Sequence, residues 1–176
     1  MLIVFGGLPG TGKTTIARAL ARRLGAFHLR IDTIEQAIRA TSGADDPVGP
    51  QGYVVAYAVA GDNLRLGATV VADSVNPIRV TREAWRATAL RAGVPLVEVE
   101  VVCSDPLEHR HRVETRHSDI AGHRPPSWAA VMGRTYERWD GPAVVVDTVG
   151  RAVDDCVASI LAVLPIRSPD GTGRRR

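Results

Sequence analysis

A glycine-rich segment near the start of the chain ends in one lysine and two threonines, residue types that can bind phosphate. The backbone N–H groups of such a loop can surround phosphate oxygens, Lys13 can reach the β- and γ-phosphates, and the hydroxyl of Thr14 can bind Mg²⁺. The pattern G-x-x-x-x-G-K-[ST] is met at every fixed position, and Thr15 follows as a further candidate contact. We therefore predict that the segment binds ATP with Mg²⁺. Its eight residues are Gly7, Leu8, Pro9, Gly10, Thr11, Gly12, Lys13 and Thr14.

Lys13 is the only lysine among the 22 Lys and Arg residues of the chain. A lysine ends in a compact ammonium on a slim stem, whereas an arginine ends in a wide planar fork. A loop that wraps tightly around a phosphate has room for the first and not for the second. The single lysine at this position therefore supports a working phosphate-binding loop (P-loop).

Short apolar runs alternate with helix-like segments along the chain, which predicts an α/β fold. The runs are continuously apolar, as in "ATVVAD" and "PAVVVD", and this is typical of a parallel sheet that is covered on both faces. We expect strands at about 2–6, 26–31, 69–73, 95–103 and 143–147. We expect helices at about 13–24, 33–41, 51–66, 78–92, 105–116, 127–138 and 151–164.

The 176 residues have the length of one domain, which we expect to span 1–164, with a disordered tail at 165–176. Two polar segments with Gly and Pro, 42–52 and 116–127, are candidate mobile loops. No apolar run approaches 18 residues, the apolar start is too short for a signal peptide, and the two cysteines give no disulfide framework. We therefore expect a cytoplasmic protein without a membrane partner.

Asp32 stands where the second predicted strand gives way to a helix. Ligands of parallel α/β sheets bind at the carboxyl ends of the strands, so Asp32 is expected near the mouth of the P-loop. A carboxylate there can accept the proton of a hydroxyl that attacks the γ-phosphate. The alternative is that Asp32 only caps the following helix, as Asp often does.

Asp73 ends the third predicted strand in the same way. It can hold Mg²⁺ through water, or orient Lys13 and Thr14. Asn76, just before Pro77, is typical of a turn and is a candidate substrate contact. The alternative is that the residues after this strand serve only in helix and turn capping.

Arg112 and Arg116 lie four residues apart, and so on one face of a predicted helix that runs into the loop 116–127. Such a helix is suited to a lid that closes over ATP and brings guanidinium groups to the transferred phosphate. A solvated basic face is the alternative. The four nearby histidines follow no metal-binding pattern.

The chain resembles small P-loop kinases of the AAA_33-like type, most of all the kinase domain of polynucleotide 5′-hydroxyl kinases. It is also similar to chloramphenicol phosphotransferases, gluconate and shikimate kinases, and zeta-toxin-type kinases. The resemblance covers about residues 1–164 and implies a five-stranded parallel sheet of order 2-3-1-4-5 with flanking helices and a short lid. It also implies ATP and Mg²⁺, a catalytic role for Asp32 and a lid role for Arg116. The segments that carry it are "GGLPGTGKTT", "RIDTIEQAI", "VVADSVNP", "EAW", "EHRHRVETR" and "YERW".

One position departs from the polynucleotide kinases, which often carry an arginine one turn after the catalytic Asp. This chain has Glu35 there, and a carboxylate would repel a substrate phosphate, although Arg39 could substitute for the arginine. The departure favours a neutral or cationic acceptor over nucleic acid. Tyr53 and Tyr57 share a helix face and either line a small-molecule pocket or pack in the core.

These features predict a kinase that transfers the γ-phosphate of ATP to a hydroxyl of a small-molecule acceptor, with Asp32 as base and an arginine lid. A polynucleotide or nucleoside 5′-hydroxyl kinase is the alternative, and a nucleotide-hydrolysing switch is a further one. The only lysine lies in the P-loop, so the guanine-specificity motif N-K-x-D of switch proteins is absent. A monomer or a homodimer is expected.

Overall fold

The computed structural model describes residues 1–42 and 49–165, and it contains the expected alternation of strands and helices. Most bounds lie within two or three residues of those predicted. The strands are β1 (Leu2–Gly6), β2 (Phe27–Arg30), β3 (Val70–Asp73), β4 (Leu96–Val102) and β5 (Val144–Asp147). The helices are α1 (Lys13–Leu24), α2 (Ile31–Ser42), α3 (Gln51–Arg65), α4 (Arg79–Ala92), α5 (Pro106–Thr115), α6 (Trp128–Met132) and α7 (Val153–Leu161).

The five strands form one parallel sheet of order β2-β3-β1-β4-β5, which confirms the predicted topology. All residues of β1 are buried, because this strand lies in the middle of the sheet with helices on both faces. One apolar cluster joins the sheet to α1 and α7, and a second joins it to α3 and α4. The carboxyl ends of β1, β2 and β3 therefore meet at one edge, where α1 and α2 begin.

The helix predicted at 127–138 is wrong over its second half, because α6 ends at Met132 and Gly133 follows. Residues 134–140 instead run across the end of β1. The fully buried Arg82 binds this segment by donating to the carbonyl oxygens of Glu137 (3.2 Å) and Arg138 (3.1 Å). The backbone N–H of Glu137, which a helix would pair with the carbonyl oxygen four residues earlier, donates instead to the carbonyl oxygen of Pro77 (2.7 Å), so a tertiary contact overrides the local pattern.

The ring of Trp139 lies directly over Gly6, so that a Cβ at Gly6 would overlap the indole. We expect Gly6→Ala to destabilise the fold by roughly 1–3 kcal/mol, because added volume in a packed site forces side chains to shift. Thermal unfolding measures this loss. In a Trp139→Ala background, Gly6→Ala should lower the free energy of unfolding by clearly less. Equal losses in both backgrounds would contradict the packing argument.

Two earlier expectations fall on residues outside the described ranges. The proposed tail lies almost entirely beyond residue 165, and most of the loop 42–52 lies at 43–48. Within residues 1–42 and 49–165, no helix has the length and apolar character needed to cross a bilayer.

Candidate active site

The P-loop adopts the conformation that its glycines predict. Gly7, Gly10 and Gly12 have positive φ angles of 134°, 89° and 91°, which L-residues with side chains rarely adopt. Gly12 is the N-cap of α1 and makes no side-chain cap. The first backbone N–H groups of α1 are therefore left for a ligand, and the helix dipole makes this end favourable for an anion.

Two side chains from distant parts of the chain bind the loop backbone. The ring of His109, on α5, hydrogen bonds to the carbonyl oxygen of Pro9 (2.8 Å) and packs edge-on against Trp128. Thr148, after β5, donates to the carbonyl oxygen of Thr11 (3.0 Å). The sequence motif gave no signal for either contact, because the partners are 100 and 137 residues apart.

Lys13 is 7% exposed and lies at the start of α1. Burial lowers the pKa of its ammonium, while the negative charges of Asp73 and Asp32 oppose that shift. The lysine thus has two carboxylates within electrostatic reach, as the predicted positions at the ends of β3 and β2 require.

Asp73 is 2% exposed at the end of β3, where His28 of β2 hydrogen bonds to it (3.3 Å). Burial alone would raise the pKa of this carboxyl. The hydrogen bond from His28, the charge of Lys13 and the hydroxyl of Thr14 together hold the pKa below its usual value. An ionised carboxylate beside a threonine hydroxyl is an oxygen donor set that suits Mg²⁺. His28 had not been predicted, because nothing in its local sequence marks it.

A cavity of about 980 Å³, here called the main cavity, opens beside the P-loop at the carboxyl edge of the sheet. A second cavity of about 470 Å³ runs from the loop toward the segment 115–119. Lys13, Arg30 and Arg116 line both, so the two cavities meet at these cations. The main cavity brings together Lys13, Thr14, Asp32, Glu35, Arg39, Tyr53 and Arg116 of the predicted site.

Asp32 lies in the first turn of α2, which begins at Ile31 directly after β2. Its carboxylate is 3.9 Å from the guanidinium of Arg30 and lines the main cavity beside Lys13. Because the helix begins before Asp32, the alternative that Asp32 is the N-cap does not fit the structure.

Arg116 is the C-cap of α5, and Arg112 lies one turn earlier. Burial lowers the pKa of Arg116, while the charge of Asp32, which lines the same cavity, opposes the shift. Arg112 lines the second cavity together with Arg116, and it donates to the hydroxyl of Thr148 (2.7 Å) and pairs with Glu108. It lines an outer cavity of about 260 Å³ together with Gly12, Thr15, Ile16, Thr148, Arg151, Val153 and Cys156.

The loop that follows Arg116 is bound to the body of the fold through one carboxylate. Asp119 accepts from Arg18 of α1 (2.6 Å) and from Arg30 of β2 (2.7 Å). These hydrogen bonds hold the pKa of Asp119 well below its usual value. Residues 117–119 of this loop line the second cavity, and the role of the loop as a lid stays a prediction.

Glu35 and Arg39 form an ion pair one helical turn apart (3.5 Å) on the wall of the main cavity. Burial raises the pKa of Glu35, and the charge of Asp32 adds to the rise, while Arg39 opposes it. The negative charge of Glu35 is thus compensated by Arg39.

The two tyrosines of α3 have different surroundings. Tyr53 lines the main cavity, and its hydroxyl accepts from the backbone N–H of Asn76 (3.2 Å). Tyr57 packs edge-on against Trp85 at 4.5 Å and donates to the carbonyl oxygen of Thr81, so it belongs to the core. Asn76 is fully buried and binds the carbonyl oxygen of Phe5 (2.7 Å). Of these predicted substrate contacts, only Tyr53 reaches the cavity.

The P-loop and the sheet that positions it recur in known proteins. The AAA_33 family model, described as AAA domain, matches residues 2–131. An adenylyl-sulfate kinase from Geotalea uraniireducens (strain Rf4) is 26% identical over 177 residues, which cover 97% of this chain and 83% of that protein.

Two solved structures extend the likeness to the fold. The APS kinase of Mycobacterium tuberculosis, solved in complex with AMPPNP and APS, superposes with a TM-score of 0.70 at 18% identity. That match covers 92% of this chain and 95% of the other. A gluconokinase from Sinorhizobium meliloti 1021 superposes with a TM-score of 0.64 at 25% identity, over 91% of this chain and 89% of the other.

Proposed function

Because this chain belongs to the AAA domain family and is a P-loop kinase, we propose that it transfers the γ-phosphoryl group of ATP to a hydroxyl of a small-molecule acceptor. The observation that carries the proposal is the convergence of Lys13, Asp32 and Arg116 on one cavity. A lysine for the phosphates, a carboxylate for the attacking hydroxyl and a lid arginine are the parts that such a transfer needs.

The phosphates of ATP occupy the P-loop and the second cavity, with Lys13 and the N-terminus of α1 as ligands. The outer cavity beside Gly12 and Arg112 has a size and a partly apolar wall that suit the nucleotide base. Thr14 and, through water, Asp73 would hold Mg²⁺, which neutralises negative charge on the β- and γ-phosphate oxygens when it is bound.

The acceptor occupies the main cavity, with its reactive hydroxyl facing Asp32. The carboxylate of Asp32 takes the hydroxyl proton as the acceptor oxygen bonds to the γ-phosphorus, and the bond from that phosphorus to the β,γ-bridging oxygen breaks to release ADP. Arg116 also lines the main cavity and balances the charge that develops on the transferred group. The lid loop excludes water, so that hydrolysis does not compete.

Arg116→Ala should lower kcat by roughly 10²–10³-fold, because a guanidinium aimed at developing charge is lost. Arg116→Lys should restore activity only in part, since it keeps the charge without the planar fork. Steady-state kinetics with varied ATP measure both variants. Arg110→Ala, which removes an exposed arginine paired with Glu114 on the same helix, is the control. Parent-like activity of Arg116→Lys would contradict the role of the fork, and parent-like activity of Arg116→Ala would contradict any role of Arg116 in the transfer.

A panel of acceptors tests the proposal as a whole. The protein is incubated with labelled ATP and with sugars, nucleosides, aminoglycoside- or chloramphenicol-like alcohols and 5′-hydroxyl DNA or RNA ends. Labelling of small alcohols supports the proposal, whereas preferential labelling of oligonucleotide ends would assign the protein to the polynucleotide kinases. Nucleotide turnover without any labelled product would favour a switch.

A further inference from the structure

The main cavity is more positively charged than the phosphoryl transfer itself requires. Six cationic side chains of the described residues line it, against two carboxylates. They come from six separate places in the chain, from the P-loop to the segment after α6. The cations are Lys13, Arg30, Arg39, Arg116, Arg124 and Arg134, and the carboxylates are Asp32 and Glu35.

Two of these charges have a carboxylate partner, and two others have a role in the proposed transfer. Arg30 pairs with Asp119 at 2.7 Å and lies 3.9 Å from Asp32, and Arg39 pairs with Glu35. Lys13 and Arg116 serve the phosphates of ATP in the proposed reaction. The remaining two, Arg124 and Arg134, form no close ion pair with a carboxylate among residues 1–42 and 49–165.

Arg124 lies on the lid loop, and Arg134 follows α6, so two different elements bring these guanidinium groups to one cavity. Both side chains are exposed, and a ligand in the cavity can therefore reach them. Cations gathered in one concave site repel one another and raise the local concentration of anions. A guanidinium binds the paired oxygens of a carboxylate, phosphate or sulfate with two parallel hydrogen bonds.

Glu35 does not reverse this charge balance. Arg39 pairs with it directly, and Arg134 is near enough to oppose the rise that burial and Asp32 cause in the pKa of Glu35. The repulsion expected from Glu35 taken alone is thus offset by two neighbouring arginines. This weighs against the neutral or cationic acceptor that the sequence favoured.

We propose that the acceptor is a small alcohol that also carries a carboxylate, phosphate or sulfate group, and that Arg124 and Arg134 bind this group while the hydroxyl faces Asp32. The proposal rests on the proposed function, because the main cavity is the acceptor site only if ATP binds at the P-loop. The anionic group would fix the orientation of the acceptor at the end opposite the reacting oxygen.

Inorganic phosphate, titrated by calorimetry into protein saturated with AMPPNP and Mg²⁺, tests the inference. The nucleotide analogue fills the P-loop, so that further phosphate binding reports on the main cavity. We expect saturable binding that weakens at least tenfold in the double variant Arg124→Gln, Arg134→Gln. The matched control Arg22→Gln, Arg23→Gln removes two exposed arginines of α1 that line none of the three cavities, and it should bind phosphate as the parent does.

Glu35→Gln should change the phosphate affinity in the opposite direction from the arginine variants. The substitution removes the negative charge that pairs with Arg39, so phosphate should bind severalfold more tightly. A cationic acceptor site predicts no such gain. Choline, titrated in the same way in place of phosphate, should show no saturable binding to the parent protein or to Glu35→Gln.

The outcomes separate the two proposals. Failure of AMPPNP to bind would overturn the proposed function. If AMPPNP binds but phosphate does not, or if phosphate binds the Arg124/Arg134 double variant as tightly as the parent, the anionic acceptor is overturned and the kinase proposal stands. Sulfate and acetate titrations then show which anionic group is preferred, and glycerol against glycerol 3-phosphate compares a matched pair of alcohols.

Discussion

Lys13→Ala is expected to lower phosphoryl transfer by about 10³-fold or more, the scale seen when a cation is removed from a transferred phosphate. The ammonium is buried among the P-loop, Asp73 and Asp32, and no other lysine exists in the chain to replace it. In a site that excludes water, a missing cation is not compensated by solvent. A labelled-ATP transfer assay measures the loss.

The fold should survive this substitution. Desolvation of the Lys13 ammonium costs free energy in the unliganded protein, which is the cause of its lowered pKa, so alanine should leave thermal stability equal or higher. Lys13→Arg is the matched variant, because it keeps the charge but replaces the slim stem with a wide fork. We expect Lys13→Arg to be nearly as inactive as Lys13→Ala. Full transfer by the alanine variant would refute the assignment of the P-loop.

The sequence was informative wherever the signal was local. The P-loop lies in eight consecutive residues, and its glycines adopt the positive φ angles that the motif requires. The strands were predictable because buried parallel strands are continuous apolar runs of few residues. Asp32 and Asp73 were predictable as neighbours of Lys13, since parallel strands end at the same edge of a sheet.

Contacts between distant residues could not be predicted. His28 lies 45 residues from Asp73 and His109 lies 100 residues from Pro9, and no local pattern marks either histidine. The end of α6 could not be predicted for the same reason, because the backbone N–H of Glu137 pairs with the distant Pro77 and not with a residue of the predicted helix.

The net charge of the main cavity could not be predicted from one residue. Glu35 alone predicted repulsion of an anion, but the potential in the cavity is the sum over side chains from several elements. Arg124 and Arg134 had no role in the sequence argument, and only the fold brings them to the wall that Glu35 shares.

A similar limit applied to Tyr53 and Tyr57. They share one helix face, yet one turn along α3 separates the cavity from the core.

Asp32→Asn is expected to lower kcat by roughly 10²–10⁴-fold, the usual scale for loss of a general base, while ATP affinity stays nearly unchanged. Asparagine keeps the shape of the side chain and removes only its ability to take a proton. The carboxylate lies in the first turn of α2 and lines the main cavity, which holds the acceptor in the proposed function, so the loss should fall on the acceptor step and not on nucleotide binding.

A structural role of Asp32 would give a different result. A negative charge in the first turn of a helix is worth about 0.3–1 kcal/mol, so its loss would affect stability slightly and turnover hardly at all. Asp154→Asn is the matched control, because Asp154 occupies the first turn of α7 and lines none of the described cavities. Both variants should lose similar, small amounts of thermal stability, and only Asp32→Asn should lose turnover. If Asp32→Asn keeps its turnover at saturating acceptor, Asp32 contributes only to the helix, and the proton must leave the acceptor by another route.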